Sequence, residues 1–298
     1  MKKRQLGQNG PFVSVVGIGA MSFTNFYGDT NESESHAVLT EALDLGIDHI
    51  DTSNVYGMGK SENVIGNYLS KQGKQKNDLF TIATKAAITR DQKTGKRSFD
   101  NTKKHLTTEL EGSLERLGVD CVDLFYIHRR DPNIEIEEVT HTLMELAKQG
   151  KIKQFGFSEI APSSLKRAQK ISPVAAVQSE YSLATRSPEL GLLQTTKNFG
   201  TSLVAFSPVG RGLLTDNPHS ASAIEKMDFL KQIPRFQEPH LSANNILAEK
   251  FRQLAATTNK PAASIAIAWL LVCMKLIFHL LHNHILYQQM FLIYVHCH

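Results

Sequence analysis

Four ionisable residues, each at the end of an apolar run, could together perform proton chemistry on a carbonyl. Asp51 closes the run His49-Ile50-Asp51-Thr52, and Tyr56 follows it in Ser53-Asn54-Val55-Tyr56-Gly57. Lys85 follows Phe80 to Thr84, and His128 follows Val122 to Ile127. A phenol with a pKa of about 10 is a poor proton donor or acceptor at neutral pH, but a neighbouring ammonium favours phenolate and lowers that pKa. A carboxylate beside the lysine keeps it charged, and an imidazole at the opposite edge can bond a carbonyl oxygen. The set suits protonation of an alkoxide. Taken singly, each residue has an ordinary reading: Asp51 as a turn or cap, Tyr56 as half-buried packing, Lys85 and His128 as solvated groups. That reading does not explain why successive strands deliver different ionisable groups at the same level.

Bringing them together requires particular elements. Apolar, β-rich runs fall at Val13 to Gly19, His49 to Thr52, Phe80 to Thr84, Val122 to Ile127, Gln154 to Phe157, Ala175 to Gln178 and Ser202 to Phe206. Helical patterns lie between them: Ser33 to Leu45, Lys60 to Lys71, Thr102 to Leu117, Ile136 to Lys148, Ser163 to Lys170 and Pro188 to Asn198. Stop glycines follow several, as in Leu45-Gly46, Leu117-Gly118 and Gln149-Gly150. Strict alternation implies parallel strands with crossover helices. Gly17-Ile18-Gly19 lacks a third glycine and leads into no helix, so a dinucleotide-binding turn is missing and a single (β/α)8 TIM barrel is expected. A barrel of this kind carries its chemistry at the carboxyl ends of its strands.

The composition agrees. With 298 residues, 41% apolar and 21% charged, the chain is long enough for one barrel and is neither disordered nor collagen-like. Its net charge of +4 is small and diffuse, which argues against a nucleic-acid partner. Cys121, Cys273 and Cys297 show no CxxC spacing and suit a reducing compartment. The basic start Met1 to Leu6 leads to Gly7-Gln8-Asn9-Gly10 rather than an apolar stretch, so a cytoplasmic address without a signal peptide is expected. Oligomeric state is not fixed by the sequence.

Asp51-Thr52-Ser53-Asn54-Val55-Tyr56-Gly57, then Thr84-Lys85, then Asp123-Leu124-Phe125-Tyr126-Ile127-His128 together resemble the aldo-keto reductase family. The resemblance runs from Leu6 to about Leu271. It implies reduction of a small-molecule aldehyde or ketone by hydride from NADPH. Tyr56 would be the proton donor, Lys85 and Asp51 would tune it, and His128 would orient the carbonyl.

By the same resemblance, Ser158 and Gln178 would hydrogen-bond the nicotinamide carboxamide, and Phe206 would stack on its ring where many members carry Tyr or Trp. Glu159 departs from the Asn usual in the family at its position. Backbone amides near Ser207 and from Gly210 through Gly212 to Leu213, with the Arg211 side chain, would meet the pyrophosphate, Pro208 lying in the same stretch without an amide hydrogen of its own. Gly17 and Met21 would line the floor of the substrate pocket, and the loops after the strands would add Phe23, Phe26, Tyr27, Arg129 and Arg130 to its lining. No metal is implied.

The sequence changes character at Val272. Residues 1–271 read as the barrel and 272–298 as an anomalous tail. The tail has no Gly, Pro, Asp, Glu, Ser or Thr, a single charge at Lys275, and five of the twelve histidines. The family's eighth strand and the basic residues that hold the adenosine 2′-phosphate have no counterpart there, so the tail reads as out-of-frame sequence. The barrel is therefore expected to be incomplete or irregular at its eighth unit, with two open edges, although Phe291 to Val295 could pair into the gap. The spacing of His279, His282, His284 and Cys297 fits no standard zinc site. The tail's apolar run is broken by Lys, Asn, Gln and His, so no membrane span is expected.

Two other functions share these residues. A Schiff-base lyase could use Lys85 as nucleophile, but a nearby Asp51 raises the lysine pKa and opposes it. The other is a non-catalytic NADPH-binding regulatory subunit.

Overall fold

The computed structural model describes residues 1–73, 78–90, 94 and 96–272, and the backbone of Phe291–Val295. Along the chain run β1 (Lys3–Gln5), β2 (Phe12–Ser14), β3 (Val16–Gly19), α1 (Glu32–Asp44), β4 (His49–Asp51), α2 (Lys60–Ser70), β5 (Thr81–Ala86), β6 (Ile88–Arg90), β7 (Arg97–Phe99) and α3 (Lys103–Leu117). These are followed by β8 (Val122–Ile127), α4 (Ile136–Lys148), β9 (Ile152–Ser158), α5 (Pro162–Gln169), β10 (Ala176–Glu180), α6 (Leu192–Phe199), β11 (Ser202–Phe206), α7 (Ala221–Glu225), α8 (His240–Ala256), α9 (Ala262–Val272) and β12 (Phe291–Val295).

Strands β3, β4, β5, β8, β9, β10 and β11 pair in parallel in that order, as the alternation of strand and helix patterns requires. The gap expected between β11 and β3 is filled. β12 pairs antiparallel with both, Ala205 opposite Ile293 and Ile18 opposite Phe291, and the barrel closes. The eighth unit is thus irregular in direction rather than open. Closure satisfies backbone groups that two free edges would leave unpaired, and the run Phe-Leu-Ile-Tyr-Val has the residue types that strands favour.

The expected first strand, Val13 to Gly19, is two strands. Ser14 donates its amide to Asp48 Oδ1 (2.7 Å) and its hydroxyl to the Val16 carbonyl (2.7 Å), which turns the chain between them. β2 instead pairs with β1, and this hairpin plugs the amino end of the barrel. Leu6 and Val13 are fully buried against Ala83, Leu124, Tyr126, Ala176 and Val204 in the interior. Gly7 permits the close approach: its φ is +70°, and a Cβ there would lie 2.9 Å from Ala175 Cα.

A larger apolar layer lies between barrel and helices, with Ile50, Ile65, Ile82, Phe125, Leu143, Phe157 and Leu203 among its members. The helices begin and end near their expected positions. Thr102 caps α3 by accepting from the His105 amide, and Asn31 caps α1 reciprocally with Glu34. The segment Pro188 to Asn198 is not one helix, because Gly191, at φ +133°, separates a short 3-10 turn from α6. The hairpin β6–β7 was not expected. No helix among the described residues is long and apolar enough to cross a membrane. His279, His282, His284 and Cys297 lie outside the described residues, among which there is no group of three or more His, Cys, Asp or Glu able to hold a metal ion.

Candidate active site

Alternation along the strands decides which side chains meet. In β4 Ile50 packs outward beneath the helices, so His49 and Asp51 point into the barrel. In β5 Ile82 packs outward while Ala83 faces the interior, which sends Lys85 inward one layer higher. In β8 Leu124 and Tyr126 face inward, and His128 continues that parity just past the strand, its amide donating to the Ala86 carbonyl at 2.8 Å. Asp51, Lys85 and His128 therefore share the carboxyl-terminal layer. Tyr56 reaches it from the turn after β4.

Lys85 is completely buried and joins the set. Its Nζ donates to the Asp51 carboxylate, to the Thr52 carbonyl at 2.8 Å and to the Tyr56 hydroxyl at 3.4 Å. The second Asp51 oxygen accepts from Gln178 Nε2 at 2.7 Å. The Tyr56 and His128 rings meet edge to face, their centroids 5.8 Å apart at 80°. All four residues singled out for proton chemistry are brought together.

Their electrostatics differ from the sequence expectation at one point. Burial works to lower the Lys85 pKa, but the Asp51 carboxylate, with help from Tyr56, carries it above the ordinary value, so the ammonium is retained. Burial raises the Tyr56 phenol by more than the Lys85 ammonium lowers it, so the tyrosine is a neutral donor rather than a ready phenolate. Burial, reinforced by Lys85, Arg129 and Arg97, holds His128 well below the usual imidazole range, and it stays neutral.

Ser158 and Gln178 lie in the same interior layer, both buried. Ser158 Oγ accepts from Arg129 Nη1 at 3.0 Å, and Arg129 also donates to the His128 carbonyl. The Gln178 amide nitrogen is engaged with Asp51. Phe206 ends β11 half-buried.

The turn after it holds Ser207, Gly210, Arg211 and Gly212 at φ values of 53°, 61°, 58° and 92°. A backbone of this kind turns successive N–H groups into one concavity, which suits an anion such as pyrophosphate. The Arg211 side chain is not directed there. It donates to Glu180 Oε2 at 2.9 Å and lies over the rings of Phe206 (5.7 Å) and Phe229 (4.9 Å). Glu180 also pairs with Arg235 at 2.7 Å, and its two carboxylate oxygens fix both arginines. Pro208 and Leu213 lie within the same turn, Leu213 buried.

Phe23, expected in the pocket, is 2% exposed and belongs to the outer core with Ala20, Ile50 and Val64. A 3-10 turn over Ala20–Thr24 directs it there, and Met21 on the same turn is half-buried. Phe26 instead reaches across to Phe229, ring centroids 5.0 Å apart. Glu159 occupies a left-handed conformation (φ +55°), which explains why Asn, tolerant of that region, is usual there. Its carboxylate accepts from the Glu180 amide at 2.7 Å.

Some neighbours had no signal in the sequence. Ser53, fully buried, places its Oγ 3.1 Å from His128 Nδ1. Glu62, also fully buried, accepts from Thr84 beside Lys85 and from Arg116 Nε at 2.7 Å. Ser53 stood inside a motif already singled out, yet its contact spans 75 positions. Glu62 lies on a helix whose pattern marks only a solvated acid.

The chain matches the model of the aldo/keto reductase family over residues 15–282, past the Leu271 boundary expected from the motifs. It is 35% identical over 262 residues to aldo-keto reductase yakc [NADP(+)] of Schizosaccharomyces pombe, covering 87% of this chain and 76% of that one. It is 37% identical over 277 residues to aldo-keto reductase str7 of Strobilurus tenacellus, covering 90% and 79%. Among solved structures it resembles the glycerol dehydrogenase AKR11B4 from Gluconobacter oxydans, with a TM-score of 0.77, 28% identity, and coverage of 90% of this chain and 82% of that one. Motif order, barrel and match over most of its length agree: the chain belongs to the aldo/keto reductase family.

Proposed function

We propose that this oxidoreductase reduces a small aldehyde or ketone to the alcohol, with NADPH as cofactor and Tyr56 as proton donor. The observation that carries the reading is the buried Lys85 ammonium, which bridges the Asp51 carboxylate and the Tyr56 hydroxyl at the carboxyl end of the barrel. NADPH supplies the hydride when bound. The left-handed turn from Ser207 to Gly212 fits its pyrophosphate, Ser158 lies in the layer where the nicotinamide amide belongs, and the relative from S. pombe carries NADP(+) in its name.

The remaining steps belong to side chains. His128, neutral, donates a hydrogen bond to the carbonyl oxygen and holds it toward Tyr56. As negative charge develops on that oxygen, the Tyr56 hydroxyl transfers its proton to it, and the Lys85 ammonium stabilises the phenolate left behind. Asp51, held by Lys85 and Gln178, keeps the ammonium charged and aimed. The raised Lys85 pKa opposes a Schiff-base role, which needs the free amine.

The sequence after Val272 lacks the family's basic 2′-phosphate residues, so weak retention of NADPH is part of the proposal. Tyr56→Phe tests the chemistry. Loss of about 10²–10⁴ in kcat with NADPH still bound is expected, whereas turnover near wild type across an aldehyde panel would overturn the assignment. Fluorescence titration with NADPH tests retention, and tight binding would remove that part.

A further inference from the structure

The reaction described above makes no use of the hairpin β6–β7. It leaves the barrel directly beyond Lys85 and Ala86 and pairs Ile88 with Phe99, Thr89 with Ser98 and Arg90 with Arg97. Directly opposed residues share a face, and side chains alternate along a strand, so Ile88, Arg90, Arg97 and Phe99 lie on one side. Ile88 at the base of that face is buried, whereas Arg90, Arg97 and Phe99 farther along it are exposed, so the face packs against the barrel at its root and offers its arginines to solvent. Two arginines are thus cross-strand neighbours, a like-charge pairing that costs stability unless something anionic joins them. The exposed Arg97 spreads its guanidinium over the Phe99 ring at 5.4 Å.

Arg129 arrives from the turn that follows His128. Asn101, just past the hairpin, fastens the two segments: it donates to the Arg129 carbonyl (3.1 Å) and accepts from the Asp131 amide (2.8 Å). Among the described residues, none of Arg90, Arg97 and Arg129 forms an ion pair with a carboxylate. After burial, the charges that act on Arg97 are those of Arg129 and Arg90, and both are cationic. The carboxylates whose charge acts on Arg129 are those of Glu159 and Glu180. Glu180 already holds Arg211 and Arg235, and Glu159 accepts a backbone amide.

We propose that Arg97, supported by Arg90 and Arg129, forms a subsite for a carboxylate on the carbonyl substrate, so that the preferred substrates are carboxylated aldehydes or ketones. The inference rests on the reductase reading and names its substrate class. A carboxylate seated there would accept charge-assisted hydrogen bonds from guanidinium groups that have no carboxylate partner among the described residues, and the reacting carbonyl would remain at His128 and Tyr56.

The test compares terephthalaldehydic acid with its methyl ester as substrates for the full chain with NADPH. The wild type is expected to favour the acid by about tenfold in kcat/KM, mainly through KM. The preference should shrink toward about 1 M salt, where the screening length falls to about 3 Å. Arg97→Ala should abolish the preference. Arg167→Ala, whose guanidinium is paired with Glu135 and Glu137, should keep it. Equal turnover of acid and ester by the wild type, or an Arg97→Ala enzyme with the wild-type ratio, overturns the subsite. If neither aldehyde is reduced, the reductase reading fails on its own. Calorimetry then decides the subsite: it stands if the acid binds wild type more tightly than Arg97→Ala and falls if both bind alike.

Discussion

The Ser53 hydroxyl lies 3.1 Å from Nδ1 of His128 and also faces the Asn54 side-chain oxygen at 3.2 Å and the Lys85 carbonyl at 3.3 Å. A hydroxyl has one proton to donate. Given to Nδ1, the nearest of the three, it leaves the imidazole proton on Nε2, the nitrogen free to donate to a substrate carbonyl. Given to either carbonyl oxygen, it forces Nδ1 to carry the proton and leaves Nε2 without one. Asn54 is itself held by a 2.6 Å bond from its amide nitrogen to Glu109, so its oxygen stays turned toward Ser53. The tautomer of His128 is thereby tied to one buried serine.

Ser53→Ala is therefore expected to lower kcat/KM by about tenfold while the fold survives, with Ser53→Thr restoring most of it. Ring-nitrogen chemical shifts of His128 provide the direct reading. A single Nε2–H tautomer should give way to a mixture in the alanine variant, and an unchanged spectrum would remove the serine's role.

Lys85→Met leaves the Asp51 carboxylate buried without its cation, at 2% exposure. An uncompensated buried charge costs about 3–5 kcal/mol, read as a lower denaturant midpoint. Lys85→Met with Asp51→Leu removes both charges and should recover much of that stability while remaining inactive. If the single and double variants unfold together, the coupling between the two residues is weaker than their contact implies.

His49 sits one layer below Asp51, fully buried, and burial holds its imidazole down at about 3 against 6.5 in the unfolded chain. The folded pKa is the lower one, so the unfolded chain takes up protons first as pH falls. This contribution is complete above about 6.5 and is lost progressively toward about 3, with a slope approaching about 1.4 kcal/mol per pH unit between them. Thermal denaturation against pH should show the decline in the wild type. It should be flatter in His49→Gln, and parallel curves would assign the acid sensitivity elsewhere, His128 being the next candidate.

Much of the site could be read directly from the residue order. Asp51, Lys85 and His128 close apolar runs of strand length, Tyr56 stands in the turn after the first of them, and parallel strands in sequence order must bring such ends to one rim. Period-two alternation then sends Lys85 to the side shared with Ala83. These consequences are local, since they follow from backbone geometry and from which residues lie next to one another in the chain.

What remained hidden depends on packing between distant segments. Pairing of Ser53 with His128, Gln178 with Asp51, and Glu180 with both Arg211 and Arg235 joins residues whose order in the chain predicts no contact. Phe23 looked like a pocket residue until a 3-10 turn placed it in the core. Sequence pattern marks Phe291–Val295 as apolar and strand-like, but a strand's direction leaves no trace in its composition. Only the closing of a cylinder with one place left unpaired set it antiparallel between β11 and β3. The balance between burial and the Lys85 charge at Tyr56 is likewise tertiary, because desolvation is a property of the assembled interior and not of any motif.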